Sequence, residues 1–219
     1  IEYFVTPESA DESYQFWINR SDQWYKDLGV SKERLRIRSH DKSELAHYSN
    51  GTSDIEYHFP WGWGEIQGTA NRTDYDLKAH SAKSGEALTY FDEKLGEHLT
   101  PYVIEPSFGV DRAVMAFLLA AYSEEEVSSP NGKLDKRGLL KLNPLLAPVK
   151  VAVLPLSRNE KLLPIARELH DSLRRSNSIE GIVEYDDAQS IGKRYRSSSF
   201  LHLGPRKSRQ ISNSEMELS

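Results

Sequence analysis

The chain has 219 residues, 38% of them hydrophobic and 28% charged, ordinary values for a globular protein of one large domain or two small ones. A net charge of −5 argues against a generally basic nucleic-acid binder, so any RNA contact has to come from local patches. The absence of cysteine excludes disulfides and thiolate metal sites and makes a reducing, cytoplasmic setting the expectation.

No apolar run approaches the ~20 residues of a membrane span, and the first residues do not resemble a signal peptide. The chain starts in a strand-like IEYFV without Met, which reads as the interior of a longer protein. Residues 11–28 carry Tyr14, Trp17, Ile18, Trp24, Tyr25 and Leu28 at near-helical spacing, with Gly29 as C-cap. That stripe reads as a core face in preference to a nucleobase platform. Residues 35–38 read as a short strand with Arg36 and Arg38 on one face. His40 and His47 lie seven residues apart, a spacing that suits neither one helix face nor a zinc site, so they read as non-ligands.

Residues 54–70 read as a strand, a Pro-Trp-Gly-Trp-Gly corner and a second strand. Alternation over 64–70 puts Glu65, Gln67 and Thr69 on one face and Ile66, Gly68 and Ala70 on the other. The small second face suits a floor beneath a pocket, or equally a half-solvated antiparallel strand. Residues 71–80 mix charge and aromatics and are expected to cover the strand's end. Residues 81–100 read as polar loop with a hairpin candidate at 91–96.

Residues 100–122 are the most informative. Tyr102, Val103 and Ile104 read as a strand, with Val103 and Glu105 on one face. A turn is expected around Pro106 and Gly109, then an apolar helix from about Asp111. Pro106 keeps Glu105 out of the helical region, which puts the carboxylate at the strand's end. Gly109 permits a tight turn or close approach of a ligand. Arg112 falls in the first helical turn, where N–H groups and the dipole already favour anions. Such a pair suits holding an ammonium group and a phosphate together; a buried corner with an internal Glu105–Arg112 pair is the plain alternative.

Residues 123–148, acidic and then rich in Ser, Pro, Asn and Gly, read as a linker and domain boundary. Strand (149–154), helix (159–175), strand (181–185) and helix (187–196) follow, an order implying a parallel sheet with crossover helices. Lys193, Arg194 and Arg196 form a basic cluster that suits phosphate contact or an exposed helix face equally. Residues 197–219 lack periodicity and are expected to be disordered or loosely packed.

Several of these segments resemble one family. VIEPSFGVDR resembles motif 3 of class II aminoacyl-tRNA synthetases, in the form found in homodimeric glycyl-tRNA synthetases. RIRSHDKSELAHYS, GTSDIEYHFPWGWGEIQGTANRTDYDL, LAPVKVAVLPLSRNEKL and DDAQSIGKRYR extend the resemblance from Ile1 to about Arg196. It implies an α+β catalytic domain over 1–122, an antiparallel sheet with flanking helices, and the start of a small α/β anticodon-binding domain over 149–196. It also implies a homodimer that activates glycine with ATP and Mg²⁺ to glycyl-adenylate and transfers it to the 3′ end of tRNA(Gly).

By match to EPSFG, the resemblance assigns Glu105, Pro106, Ser107, Phe108 and Gly109 to the glycine site, with Glu105 pairing the ammonium group; Arg72 is a further candidate there. By match to GVDR and GWGEI, it assigns Gly109, Val110, Asp111, Arg112, Glu65 and Ile66 to ATP. Arg112 and Glu65 are then the catalytic pair, and Glu65 a possible Mg²⁺ ligand. The family's motifs 1 and 2 are expected upstream of Ile1, so the stretch alone is expected to have little or no activity. Beyond GKRYR the chain departs from the family. The alternatives are a non-catalytic synthetase-like protein that binds RNA or a partner, and a class II synthetase for another amino acid.

Overall fold

A computed structural model describes residues 1–47, 49–128, 134–188 and 194. They fall into two compact units, 1–120 and 121–219. In chain order the first holds β1 (Tyr3–Val5), α1 (Ala10–Asp27), β2 (Leu35–Ser39), β3 (Gly51–Phe59), β4 (Gly62–Asn71), α2 (Tyr75–Ser84), β5 (Tyr90–Asp92), β6 (Glu97–Leu99), β7 (Tyr102–Phe108) and α3 (Val110–Ala121). Five of its strands make one sheet in the order β1-β7-β4-β3-β2, with every pair antiparallel.

One face of the sheet is covered by α1. Ile18, Ser21 and Tyr25 of the helix are buried, as are Ile55, Tyr57, Ile66 and Ile104 of the sheet; burying each isoleucine stabilises by roughly 1.5–3 kcal/mol. Two pairs of polar groups meet across this layer, while the buried Tyr25 and Tyr57 hydroxyls have no hydrogen-bond partner among the described residues. Gln67 Nε2 donates to Ser21 Oγ at 2.6 Å and the Tyr14 hydroxyl meets Ser53 Oγ at 2.8 Å. Trp24 stacks on Phe108, and Tyr25 on Phe117 of α3. The aromatic stripe of α1 is therefore core, and burial pushes the Tyr25 hydroxyl up to about 12. Gly29, with φ 104°, ends the helix as expected.

Three elements of this unit differ from the sequence reading. First, β4 is bulged: Ile55 pairs with Gln67, but Glu56 pairs with Glu65, leaving Ile66 as the extra residue. Strict alternation fails there, and Glu65 shares a face with Gly68 and Ala70 while Gln67 and Thr69 are buried beneath α1. Second, β7 runs through Pro106 to Phe108, so Glu105 lies within the strand. Pro106 sits opposite Thr69, an odd number of residues from Val103, whose carbonyl accepts the Arg72 N–H at 2.9 Å. In an antiparallel ladder that position makes no bond to the neighbour, so the missing N–H is tolerated. Third, residues 75–84 are helical. No residue of α2 is buried; it starts on the i,i+4 pairs Arg72–Asp76 and Asp74–Lys78 and ends at Gly85 with φ 78°. Without an apolar stripe it left no periodic signal. The hairpin expected at 91–96 is β5–β6.

The second unit contains β8 (Tyr122–Ser128), β9 (Leu134–Leu140), β10 (Val149–Val153), α4 (Leu162–Arg175) and β11 (Ile182–Tyr185). The stretch read as a linker carries the antiparallel β8–β9 hairpin. β10 and β11 pair in parallel through the crossover helix α4, as the strand–helix–strand pattern implied. The helix expected over 187–196 and the tail from 197 lie, apart from Asp187, Ala188 and Arg194, outside the described residues.

Candidate active site

The face of the sheet opposite α1 is where the charged residues gather. Register places Glu105 beside Ala70, and Ser107 beside Gly68, which pairs on its other side with Asp54. Neighbouring strands are ~4.8 Å apart, so Ser107, Gly68 and Asp54 form one row across β7, β4 and β3, with Glu105 and Ala70 in the adjacent row on the same face. Gly68 and Ala70 keep the floor low between them. A Cβ on Gly68 would stand 3.5 Å from both Asp54 Oδ1 and Glu65 Oε1, which locates both carboxylates over that floor.

Glu105 does not pair with Arg112. Arg72 Nη1 donates to Glu105 Oε2 at 2.7 Å, while its Nε donates to Asp76 Oδ2 at 2.6 Å. Asp76 holds the guanidinium more firmly protonated than usual, with Glu105 adding to the effect, and the guanidinium in turn holds the Asp76 carboxyl below its ordinary range. Arg72 is aimed by the turn that follows it. Thr73 has φ 56°, a left-handed conformation that is strained for a β-branched residue. Its N–H donates to Asn71 Oδ1 at 3.1 Å and its carbonyl accepts from Val103 N–H at 2.9 Å.

Arg112 stands at the margin of this face. The β4–β7 ladder ends at Gln67–Phe108, and Arg112 Nη1 donates to the Glu65 carbonyl, two residues further on, at 2.7 Å. The guanidinium remains exposed at the first turn of α3, where the helix dipole also favours anions. Gly109 has no left-handed φ, so the turn does not require glycine. A Cβ there would meet nothing within 4 Å, and the space beside it is open.

Sequence reading missed a second charged cluster on β2 and β3. Buried Asp54 meets His40 Nε2 at 2.6 Å and lies 3.8 Å from Arg38, which also pairs with Glu44. Arg36 pairs with Glu56 and lies 4.4 Å over the Trp63 ring. The alternation of Arg36 and Arg38 was the available signal, but their partners depend on cross-strand register. His47 contacts the Tyr75 hydroxyl at 3.1 Å. Among the described residues no three His, Asp or Glu side chains group as a metal cage.

No protein-family model matches the chain. Curated proteins do. A glycine–tRNA ligase of Thermobifida fusca is 52% identical over 199 residues, 90% of this chain and 42% of the relative. Those of Bifidobacterium longum and Streptomyces coelicolor are 50% and 49% identical over the same length. The chain is a homologue of the glycine–tRNA ligases. It spans about two fifths of the length of these relatives. A solved prolyl-tRNA synthetase of Cryptosporidium parvum, complexed with L-proline and AMP, superposes with a TM-score of 0.57 at 18% identity, covering 89% of this chain and 36% of that one. The antiparallel sheet with flanking helices is thus of the class II synthetase kind.

In this glycine–tRNA ligase homologue the fold brings together Glu65, Arg72, Glu105, Ser107 and Arg112 of the residues singled out from sequence. It separates others from them. Pro106 is buried and Phe108 stacks on Trp24, both on the α1 side of β7, because alternation carries them away from Glu105 and Ser107. The Ile66 side chain is buried too, which leaves its backbone alone to face a ligand. Val110 and Asp111 are exposed beside Arg112. Of the basic cluster near the C-terminus, Arg194 is buried and donates to the Asp186 carbonyl at 2.8 Å; Lys193 and Arg196 lie outside the described residues.

Proposed function

We propose that the open face of the sheet is the glycine and ATP site of a glycine–tRNA ligase. The observation that carries this reading is one face of β7 and β4 on which a carboxylate (Glu105) and a hydroxyl (Ser107), two residues apart, flank a low Gly68–Ala70 floor, with the Arg112 guanidinium at its margin. Glu105 takes the ammonium group and Ser107 the neighbouring polar atoms of glycine. Arg112 offsets charge on the triphosphate. A carboxylate oxygen of glycine attacks the α-phosphorus in line; the new O–P bond forms as the bond to pyrophosphate breaks. Such a step needs positioning and charge neutralisation and no protein nucleophile. Glycine is then passed to the 3′ end of tRNA(Gly).

Mg²⁺ is usually held by one or two carboxylates plus phosphates rather than by an all-protein cage. Glu65, a carboxylate over the same floor, fits that donor set; the ion when bound would offset phosphate charge. The β10–α4–β11 unit is proposed to be the beginning of the anticodon-binding domain. The assembled enzyme is proposed to be a cytoplasmic homodimer.

The test is glycine-dependent ATP–pyrophosphate exchange, measured on this chain alone and on this chain joined to the N-terminal part of the Thermobifida fusca relative. Exchange that requires glycine over a panel of other amino acids, and falls roughly 10²–10³-fold in Arg112→Ala, is the expected result. Exchange in the joined form alone fits an incomplete site in this stretch. No exchange in either form overturns the reading in favour of a non-catalytic synthetase-like protein.

A further inference from the structure

Two carboxylates share one guanidinium at the inner end of the site, and the arithmetic of their charges matters. We propose that Asp76 is a positioning residue for the ammonium group of the amino-acid substrate, acting by setting the net charge of the Asp76–Arg72–Glu105 trio at −1. The inference rests on the reading of the open face as an amino-acid site. Glu105 by itself would attract a cation, but it is bound to Arg72 at 2.7 Å, and an isolated Glu105–Arg72 pair is neutral. It would offer an ammonium group no net attraction and would present it with a competing guanidinium. Asp76 changes this by taking the Nε side of the same guanidinium at 2.6 Å. One negative charge is then left over, and Glu105 is the member of the trio that faces the floor beside Ala70.

The trio is built to persist. Its side chains are 23%, 27% and 30% exposed for Arg72, Glu105 and Asp76, so water screens them partly and not fully. Asp76 occupies the first turn of α2, where a negative charge is favoured by the helix dipole. The Arg72 and Thr73 backbone is tied to Val103 of β7 by two hydrogen bonds, which holds Arg72 beside the strand that carries Glu105. Lys78 is engaged by Asp74 at 2.7 Å.

The test uses whichever of the two forms above supports exchange. Asp76→Asn keeps the shape and makes the trio neutral, so KM for glycine is expected to rise roughly ten-fold, with kcat changed less than about three-fold because the ammonium group is remote from the reacting phosphorus. Asp76→Glu should restore KM. The deciding variant is Asp76→Asn/Arg72→Gln, which again leaves one negative charge, on Glu105; its KM is expected to fall back towards that of the parent protein. A purely structural role for Asp76 predicts the opposite, that the two losses add. An unchanged KM in Asp76→Asn, or a double variant worse than the single one, overturns the inference while parent exchange continues. Absence of glycine-dependent exchange in the parent protein overturns the functional reading itself.

Discussion

The two faces of β4 and β7 are made from interleaved residues and have opposite characters. Towards α1 they present Gln67, Thr69, Ile104 and Pro106, all buried. Away from it they present Gly68, Ala70, Glu105 and Ser107, at least partly open to solvent. On the covered face the polar side chains Gln67 and Thr69 are neutral, and Gln67 is paired with Ser21. On the open face the groups are charged and share partners, as Arg72 does. The first arrangement suits stability, because buried neutral hydrogen bonds satisfy what desolvation removes. The second suits ligand exchange, because a shared, half-solvated charge can be reassigned when a ligand arrives.

Substitutions on the two faces should therefore separate folding from function. The largest effect is expected from Ile104→Ala. Ile104 is fully buried, and its truncation should lower the unfolding free energy by about 2–5 kcal/mol in urea denaturation. A loss below about 1 kcal/mol would show that the α1 face is not the core of this unit. Next comes Gly68→Ala on the opposite face. The added Cβ meets Asp54 and Glu65 only at ordinary contact, 3.5 Å. Stability should hold, while glycine-dependent exchange should fall about ten-fold or more as the floor is filled. Unaltered exchange would remove this floor from the site.

The smallest effect belongs to Asp76 and acid. Its carboxyl is depressed below the ordinary value of 3.8, chiefly by the Arg72 bond. Its contribution is thus fully present above that value and is lost as pH falls through the lower folded one. Asp76→Asn should destabilise by about 0.5–1 kcal/mol near neutral pH, and the difference should shrink progressively as pH falls below 3.8. A difference that persists undiminished into acid would mean that the ion pair is not its source.

How much of this was legible in sequence varied with the range of the interactions. The α1 stripe and the β10–α4–β11 unit were readable because each residue's environment repeats within one or two turns or strand steps. The residue types of the site were readable as well, since a carboxylate, a hydroxyl and an arginine are closely spaced in 105–112. Two local signals misled. Pro106 suggested a turn but sits at a non-bonded ladder position, and α2 lacks the apolar stripe that marks a helix. The mixed composition of 123–148 suggested a linker where a hairpin forms, because pairing between its two halves is not written in either half alone.

By itself, then, the sequence determined the kinds of element, their order and the chemistry available at one strand and the helix after it. The tertiary structure decided which groups meet. The extra residue at Ile66 turned Glu65 onto the open face, cross-strand register placed Asp54 opposite Gly68, and the same register set Arg72 beside Val103, where it, and not Arg112, reaches Glu105. The physical reason is common to all three. Periodicity depends on neighbours along the chain, whereas a charge takes the partner that the packing of distant strands brings within hydrogen-bond reach.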